Sequence, residues 1–112
     1  MSINLTPGAN LPFQSVSGDG ASGLSLARLY QNRAHFTFQL AQVEPGGISK
    51  RHHHLWEQVT WVAAGTGEVQ TDAGVTPIVP GDFFEIPSNV SHAIANTGDV
   101  PLLLVTVLGP GA

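Results

Sequence analysis

The sequence predicts an all-β fold, a small barrel or double-sheet jelly roll, on the strength of three observations. Roughly nine to eleven short segments with β-type patterns follow one another, and none has a convincing helical period. Thirteen glycines and eight prolines supply frequent turns. Charged residues make up only 11% of the chain, which disfavours long charged helices. At 112 residues we expect one domain with a single core, spanning 1–112.

The first part of the chain is poor in regular patterns. Residues 1–23 are rich in Gly, Ser, Asn and Pro, which predicts a loosely structured N-terminal arm or a loosely held first strand. Turns are expected at Pro7-Gly8 and at Gly18-Asp19-Gly20. Residues 24–31 then form a plausible strand, in which Arg28 is either a surface residue or a charged group that lines a cavity.

The clearest alternation lies in residues 33–43. One face carries Ala34, Phe36, Phe38 and Leu40, and the other carries Arg33, His35, Thr37 and Gln39. This pattern predicts a half-buried antiparallel strand and places His35 on its polar face, as an ordinary histidine and not a metal ligand. A turn is expected at Pro45-Gly46-Gly47.

The rest of the chain alternates short strands with turn signals. A hairpin is expected at Asp72-Ala73-Gly74. The segment 58–64 is apolar on both faces, and 102–108 reads as a fully apolar closing strand. Because a small barrel can bury only one face of such strands, a second subunit should cover the other, which predicts a homodimer. The predicted strands are 58–64, 68–71, 75–79, 83–86, 93–96 and 102–108.

Composition excludes several classes of partner and site. The net charge is −4 and there is no basic block, so a nucleic-acid role has little support. The chain has no cysteine, which excludes disulfides and thiolate metal sites. No apolar run approaches the roughly 20 residues of a membrane span, and the start lacks a signal-peptide pattern. We therefore expect no membrane association and a cytoplasmic location.

Three consecutive histidines are the most informative feature of the sequence. On a strand, His52 and His54 would share one face while His53 points to the other. Two imidazoles on one face form a ready chelate for a divalent transition metal, which needs three or four such donors. Gln58 can add a carbonyl oxygen, and the isolated His92 could complete the set.

Two spaced motifs resemble those of the cupin superfamily, and together they span residues 46–96. The first family motif, with its glycines, His-x-His and a glutamate, is similar to Gly46, His52-His53-His54, Gln58 and Gly65, with Gln58 in the glutamate place. The second is similar to Gly81, Pro87, Asn89, His92 and Asn96, with Asn89 in the place of a glycine. Asn tolerates a left-handed backbone better than most residues, so this second departure is mild.

The resemblance implies a single-domain cupin β-barrel, also described as a double-stranded β-helix or jelly roll, with one metal ion inside its mouth. The implied metal ligands are His52, His54, Gln58 and His92, and the implied cofactor is one divalent ion of Mn, Fe, Ni or Zn per chain. Glu57 remains the alternative to Gln58, since a carboxylate is the harder donor. Trp56 shares the parity of His54 and Gln58, and either walls the pocket or packs in a core or interface.

The implied function is metal-dependent action on a small oxygen-containing molecule, by lyase, isomerase or cyclase chemistry or by dioxygenation. The alternative is a non-catalytic module that binds or senses a small molecule or metal, and a third possibility is a purely structural barrel. No residue stands out as the catalytic acid or base, although Arg28, Tyr30, His35 and Glu85 are candidates. Metal identity, substrate and reaction type stay open at this level.

Overall fold

The turn-separated segments of the sequence form β-strands in a computed structural model that describes residues 2–112. This range contains nine strands and one short 3-10 turn at Gly8–Asn10, so the predicted all-β class is confirmed. Within the described range, no helix has the length and apolar character needed to cross a membrane. The strands are β1 (Gln14–Gly18), β2 (Ala21–Asn32), β3 (Phe36–Ile48), β4 (Gln58–Ala64), β5 (Gly67–Thr71), β6 (Gly74–Ile78), β7 (Phe83–Ile86), β8 (His92–Asn96) and β9 (Leu102–Leu108).

The nine strands form one antiparallel sheet that branches at the long strand β3. Most of β3 pairs with β2 on one side and with β9 on the other, which gives the strand order β1-β2-β3-β9-β4-β7. Its last residue, Ile48, pairs with Ala95 of β8, and β8 continues into β5 and β6. The hairpin predicted at Asp72-Ala73-Gly74 is confirmed, since β5 and β6 meet at Thr71 and Gly74.

The core lies inside the curled sheet, as expected for a single barrel. The buried aliphatic side chains come from seven of the nine strands and form one cluster: Leu24, Ala41, Val43, Val62, Val69, Ile78, Ile94, Leu102 and Leu104. Because a sheet residue's neighbours along the strand point to the opposite face, this cluster fixes which side chains face inward.

The inward face of β3 is the reverse of the one its apolar pattern suggests. Thr37 is 1% exposed, whereas Phe36 is 43% exposed and stacks on Tyr30 at the outer surface. The strand is half-buried as predicted, but Thr37 and Gln39 share the inward parity of Ala41 and Val43. His35, which we placed on this polar face, lies before β3 begins and is exposed. The physical reason for the reversed orientation of β3 is that the barrel interior holds polar groups, so polar residues of this strand can face inward.

The turn predicted at Pro45-Gly46-Gly47 is wrong, because β3 continues through these residues to Ile48. The β2 register jumps instead, pairing Ser22 with Ile48 and Leu24 with Val43. Residues 44–47 therefore bulge opposite Gly23. A Cβ on Gly47 would lie 2.8 Å from the carbonyl oxygen of Ser22, so only glycine fits where the bulge closes.

The N-terminal residues, for which we expected an arm or a loosely held first strand, include β1. This strand pairs with β2 through a turn at Gly18–Gly20, where Asp19 has a φ of 53°. Before β1, Ile3 and Leu5 are exposed. The strand predicted at 24–31 is longer than expected, because pairing with both β1 and β3 extends β2 over Ala21–Asn32.

Candidate metal centre

Three histidines converge at one end of the barrel, from two different parts of the chain. His52 and His54 lie in the connection between β3 and β4, and His92 is the first residue of β8. The connection is not a regular strand, but His52 forms an isolated bridge with His92 through two backbone hydrogen bonds of 3.0 and 2.9 Å. The alternation expected for a strand still holds, since His52 and His54 are half-buried while His53 is exposed.

The three imidazoles are close enough to share one ion. Their ring centroids lie 4.6 to 5.4 Å apart, and one ligand nitrogen from each ring lies within 4.8 Å of the other two. Among the described residues this is the group of histidines and carboxylates that meets the spacing for a metal site. The geometry thus brings together His52, His54 and His92, three of the four residues that the family resemblance implies as ligands.

Each of these histidines is held in the same tautomer by a backbone carbonyl. The Nδ1 atom of His52 lies 3.0 Å from the carbonyl oxygen of Lys50, that of His54 lies 2.8 Å from that of Trp56, and that of His92 lies 2.9 Å from that of Val90. A carbonyl oxygen can only accept, so Nδ1 carries the proton in all three rings. Each Nε2 of the neutral imidazole is left with a free lone pair, which is the arrangement a metal ligand needs.

Burial favours the neutral form of His92, whose side chain is 1% exposed. Desolvation lowers its pKa below 6.5, and the hydrogen bond to the Val90 carbonyl opposes this shift. His52, His54 and Arg51 lower the pKa further by charge repulsion. The neutral imidazole is the form that binds a metal, so the lowered pKa favours the ligand form of His92.

Gln58 lies beside the histidines at the start of β4. Its side chain is 8% exposed and lines the same cavity as His52 and His92. The amide nitrogen donates to the hydroxyl of Thr60 at 3.2 Å, and that hydroxyl shares a 2.9 Å hydrogen bond with Thr106. Because the nitrogen is engaged there, the carbonyl oxygen is the part of the amide left to bind a ligand or an ion.

Glu57, the alternative to Gln58, is exposed and has the opposite parity. It lines a separate depression on the outside of the barrel, with Leu55 and Val59. Trp56 stacks on His54 with the ring planes 7° apart, and it lines the mouth of the site. The geometry therefore gives Trp56 a place in the wall of the pocket.

The histidines border an interior cavity of about 120 Å³ that opens to a wider mouth of about 340 Å³. Leu26, Gln39, His52 and Gln58 line both spaces. The apolar part of the inner wall consists of Leu24, Leu26, Ala41, Val43, Ile94 and Leu104. Arg28 and Lys50 line the mouth, and both are exposed, so Arg28 is a surface residue at the rim of the site.

The sequence pattern of the Cupin domain family matches residues 39–108, which is more than half of the chain. The chain belongs to the cupin family. The match begins in β3 and ends with β9, and it includes all three histidines and Gln58.

The chain is also similar to individual proteins in sequence or in structure. Protein SchB from Streptomyces halstedii is 42% identical over 72 residues, which are 63% of this chain and 52% of SchB. The chain thus spans about half the length of this curated relative. The polyketide cyclase RemF from Streptomyces resistomycificus superimposes with a TM-score of 0.85 at 19% identity, covering 96% of this chain and 80% of RemF.

A predicted oxalate decarboxylase from Thermotoga maritima superimposes with a TM-score of 0.84 at 22% identity. The match covers 96% of this chain and 99% of that protein. At such identities the two structural matches establish the fold alone.

Two motif residues outside the histidine cluster hold the surrounding backbone in place. Asn89 has a φ of 65°, so it adopts the left-handed conformation expected where the family has glycine. Its backbone N–H donates to the carbonyl of His54 at 2.8 Å, which ties the second motif to the first. Asn96 is buried, and its side-chain nitrogen donates to the carbonyls of Val43 and Val100 at 2.8 Å each.

Sequence reasoning missed Gln39, Thr60 and Thr106, which lie at or behind the cavity. The alternation of residues 33–43 places Gln39 on the polar face of its strand without saying where that face points. The description of residues 102–108 as fully apolar passes over Thr106. A signal was present, because Thr106 is the one polar residue in its strand and is 2% exposed. A lone polar residue in an apolar strand of a barrel is a candidate for the interior.

Proposed function

We propose that this cupin is a metal-dependent enzyme that acts on a small oxygen-containing organic molecule. His52, His54, His92 and Gln58 would hold one divalent ion of Mn, Fe, Ni or Zn. The observation that carries the proposal is the arrangement of the three histidines: one ring nitrogen of each lies within 4.8 Å of the other two, and backbone carbonyls occupy Nδ1 and leave each Nε2 with a lone pair.

The donor set fits a divalent transition ion and suggests its use. Imidazole nitrogens suit Mn, Fe, Ni and Zn, and the Gln58 carbonyl is a further neutral oxygen donor. A divalent ion held by four neutral donors keeps its full charge and supplies Lewis-acid polarisation of an oxygen-bearing substrate. Lyase, isomerase or cyclase chemistry therefore has the best support, and dioxygenation is the competing outcome.

The other residues of the site favour an anionic oxygen group on an otherwise apolar molecule. Arg28 and Lys50 line the mouth, and neither forms an ion pair within residues 2–112. No described carboxylate lines the cavity or its mouth, so the local charge is positive. The aliphatic inner wall excludes water and packs against the apolar part of the substrate.

The experiment is a turnover screen of the metal-loaded protein on enols, β-dicarbonyls and cyanohydrins, with product formation and oxygen uptake followed in parallel. We expect metal-dependent turnover without oxygen uptake. The Gln58→Ala variant should lose this turnover if the variant no longer holds the ion. Oxygen uptake would favour dioxygenation instead. Micromolar ligand binding without turnover would favour the alternative, a non-catalytic binding or sensing module, which the lack of a carboxylate base in the cavity keeps open.

We further propose that the protein is a homodimer. The outward faces of β3, β9 and β4 are apolar and lie in register across the sheet, with Phe38, Val107 and Val59 in one row and Leu40, Val105 and Trp61 in the next. Trp61 is 48% exposed. An apolar face can pack against the same face of a second copy, which is what a two-fold interface requires.

The Trp61→Glu variant tests this interface. A charge buried in an apolar dimer face is unfavourable, so we expect wild type to sediment as a dimer and the variant to shift to a monomer. Glu68→Gln serves as a control that should leave the dimer intact, because Glu68 lies in β5, which pairs with β6 and β8 and not with the strands of the proposed interface. A monomeric mass for wild type at micromolar concentration contradicts the proposal.

A further inference from the structure

Two buried side-chain atoms of residues at the mouth have no hydrogen-bond partner among residues 2–112: the Nε1 atom of Trp56, which is a donor, and the Oε1 atom of Gln39, which is an acceptor. Gln39 lines both the inner cavity and the mouth, together with His52 and Gln58. Buried polar atoms in native proteins are nearly always paired, so this oxygen is available to a donor on a bound molecule.

A donor lies next to this acceptor. Thr106 is directly paired with Gln39 across β3 and β9, and with Thr60 across β9 and β4. Thr60 accepts the amide hydrogen of Gln58 and shares one hydrogen bond with Thr106. The two hydroxyls have two protons but only one bond between them, so one proton has no acceptor among the described residues.

Either hydroxyl can donate in the bond between Thr60 and Thr106. Thr106 lines the cavity, and Thr60 does not. With Thr60 as the donor, the Thr106 proton stays free for a ligand in the cavity. Directly paired residues have Cα atoms about 4.5 to 5.5 Å apart, so one small group can reach both side chains.

We infer that Gln39 and Thr106 form a subsite for a hydroxyl group of the substrate. The hydroxyl donates to Oε1 of Gln39 and accepts from Oγ1 of Thr106. A ketone or ether oxygen could accept from Thr106 but would leave Gln39 without a donor. This inference rests on the proposed function: the substrate class narrows to molecules that present one oxygen to the histidines and carry a separate alcohol or enol hydroxyl.

The test uses cobalt-loaded protein and a ladder of simple hydroxamates. Alkyl hydroxamates with acyl chains of two to four carbons are compared with counterparts that carry a terminal hydroxyl, and binding is followed by the visible absorption of cobalt. Two added hydrogen bonds predict that, at one chain length, the hydroxylated probe binds about tenfold more tightly. In Gln39→Leu and Thr106→Val the hydroxylated and alkyl probes should bind equally well, while the affinity for the alkyl probes is retained.

Matched controls separate recognition from folding. Gln42→Leu changes the same residue type on the outward face of β3 and should keep the preference. Thr106→Ser keeps the hydroxyl and should also keep it. If the alkyl hydroxamates bind but wild type shows no preference at any chain length, or if Gln39→Leu retains one, the hydroxyl subsite is wrong and the metal site stands. If cobalt is not retained or no hydroxamate binds, the proposed function itself fails, and the subsite with it.

Discussion

The His92→Ala variant should be purified essentially free of metal, whereas wild type should carry close to one divalent ion per chain. His92 is almost fully buried, and one of its ring nitrogens belongs to the converging set of three. Loss of a group that merely orients a ligand costs about 10- to 100-fold in metal affinity, so loss of the ligand itself should cost more than about 100-fold. Elemental analysis of gently purified protein measures this directly.

His53→Ala is the stringent control, since His53 lies between two of the proposed ligands but is exposed. It should retain the wild-type metal content, and Gln58→Ala should fall between the two. Thermal unfolding of each variant shows whether metal loss follows from loss of the fold. A His92→Ala protein with wild-type metal content, or a wild type that cannot be loaded, would refute the centre.

The histidine cluster could be predicted from sequence because its geometry is mostly local. His52 and His54 are two residues apart, so their common side follows from extended backbone geometry alone. The same parity separates Gln58 from Glu57, and the structure places the first in the barrel and the second outside it. His92 required the family resemblance, because nothing in its neighbourhood specifies the partner segment.

The lining of the cavity could not be predicted in the same way. Alternation assigns the residues of β3 to two faces, but it does not say which face points inward. The usual assumption is that the apolar face of a strand points inward. It fails in a barrel that encloses polar groups and has an apolar outer surface: Phe36 is exposed and Thr37 is buried. The bulge at 44–47 had a similar cause, since the glycine and proline signals of a bulge and of a turn are the same.

The orientation of β3 determines both the lining of the cavity and the character of the outer face. The parity that brings Gln39 and Thr106 into the cavity is the same parity that places Leu40 and Val105 on the outer face. A shift of one residue in β3 would exchange the two sets, removing the cavity's polar groups and burying the outer apolar row. We therefore expect the subsite and the apolar outer face to be lost together in any register variant of β3.

The Gly65→Ala variant should be among the most destabilised single substitutions in this chain. Gly65 has a φ of 80°, and a Cβ there would lie 2.4 Å from the carbonyl oxygen of Pro101 and 2.7 Å from the Cα of Leu102. Both neighbours are backbone atoms at the start of β9, where the Leu102 side chain is fully buried, so neither can move without disturbing the core. We expect a loss of about 3 to 5 kcal/mol in the free energy of unfolding, measured by chemical denaturation.

Gly46→Ala isolates the cause of this loss. Gly46 has nearly the same backbone conformation, with a φ of 79°, but a Cβ there would meet nothing within 4 Å. It should cost only the strain of a left-handed alanine, about 1 to 2 kcal/mol. The difference between the two variants then measures the close approach of the β4–β5 connection to β9. Equal losses would show that Gly65 is needed for its backbone conformation alone, and that the contact with Pro101 adds nothing to stability.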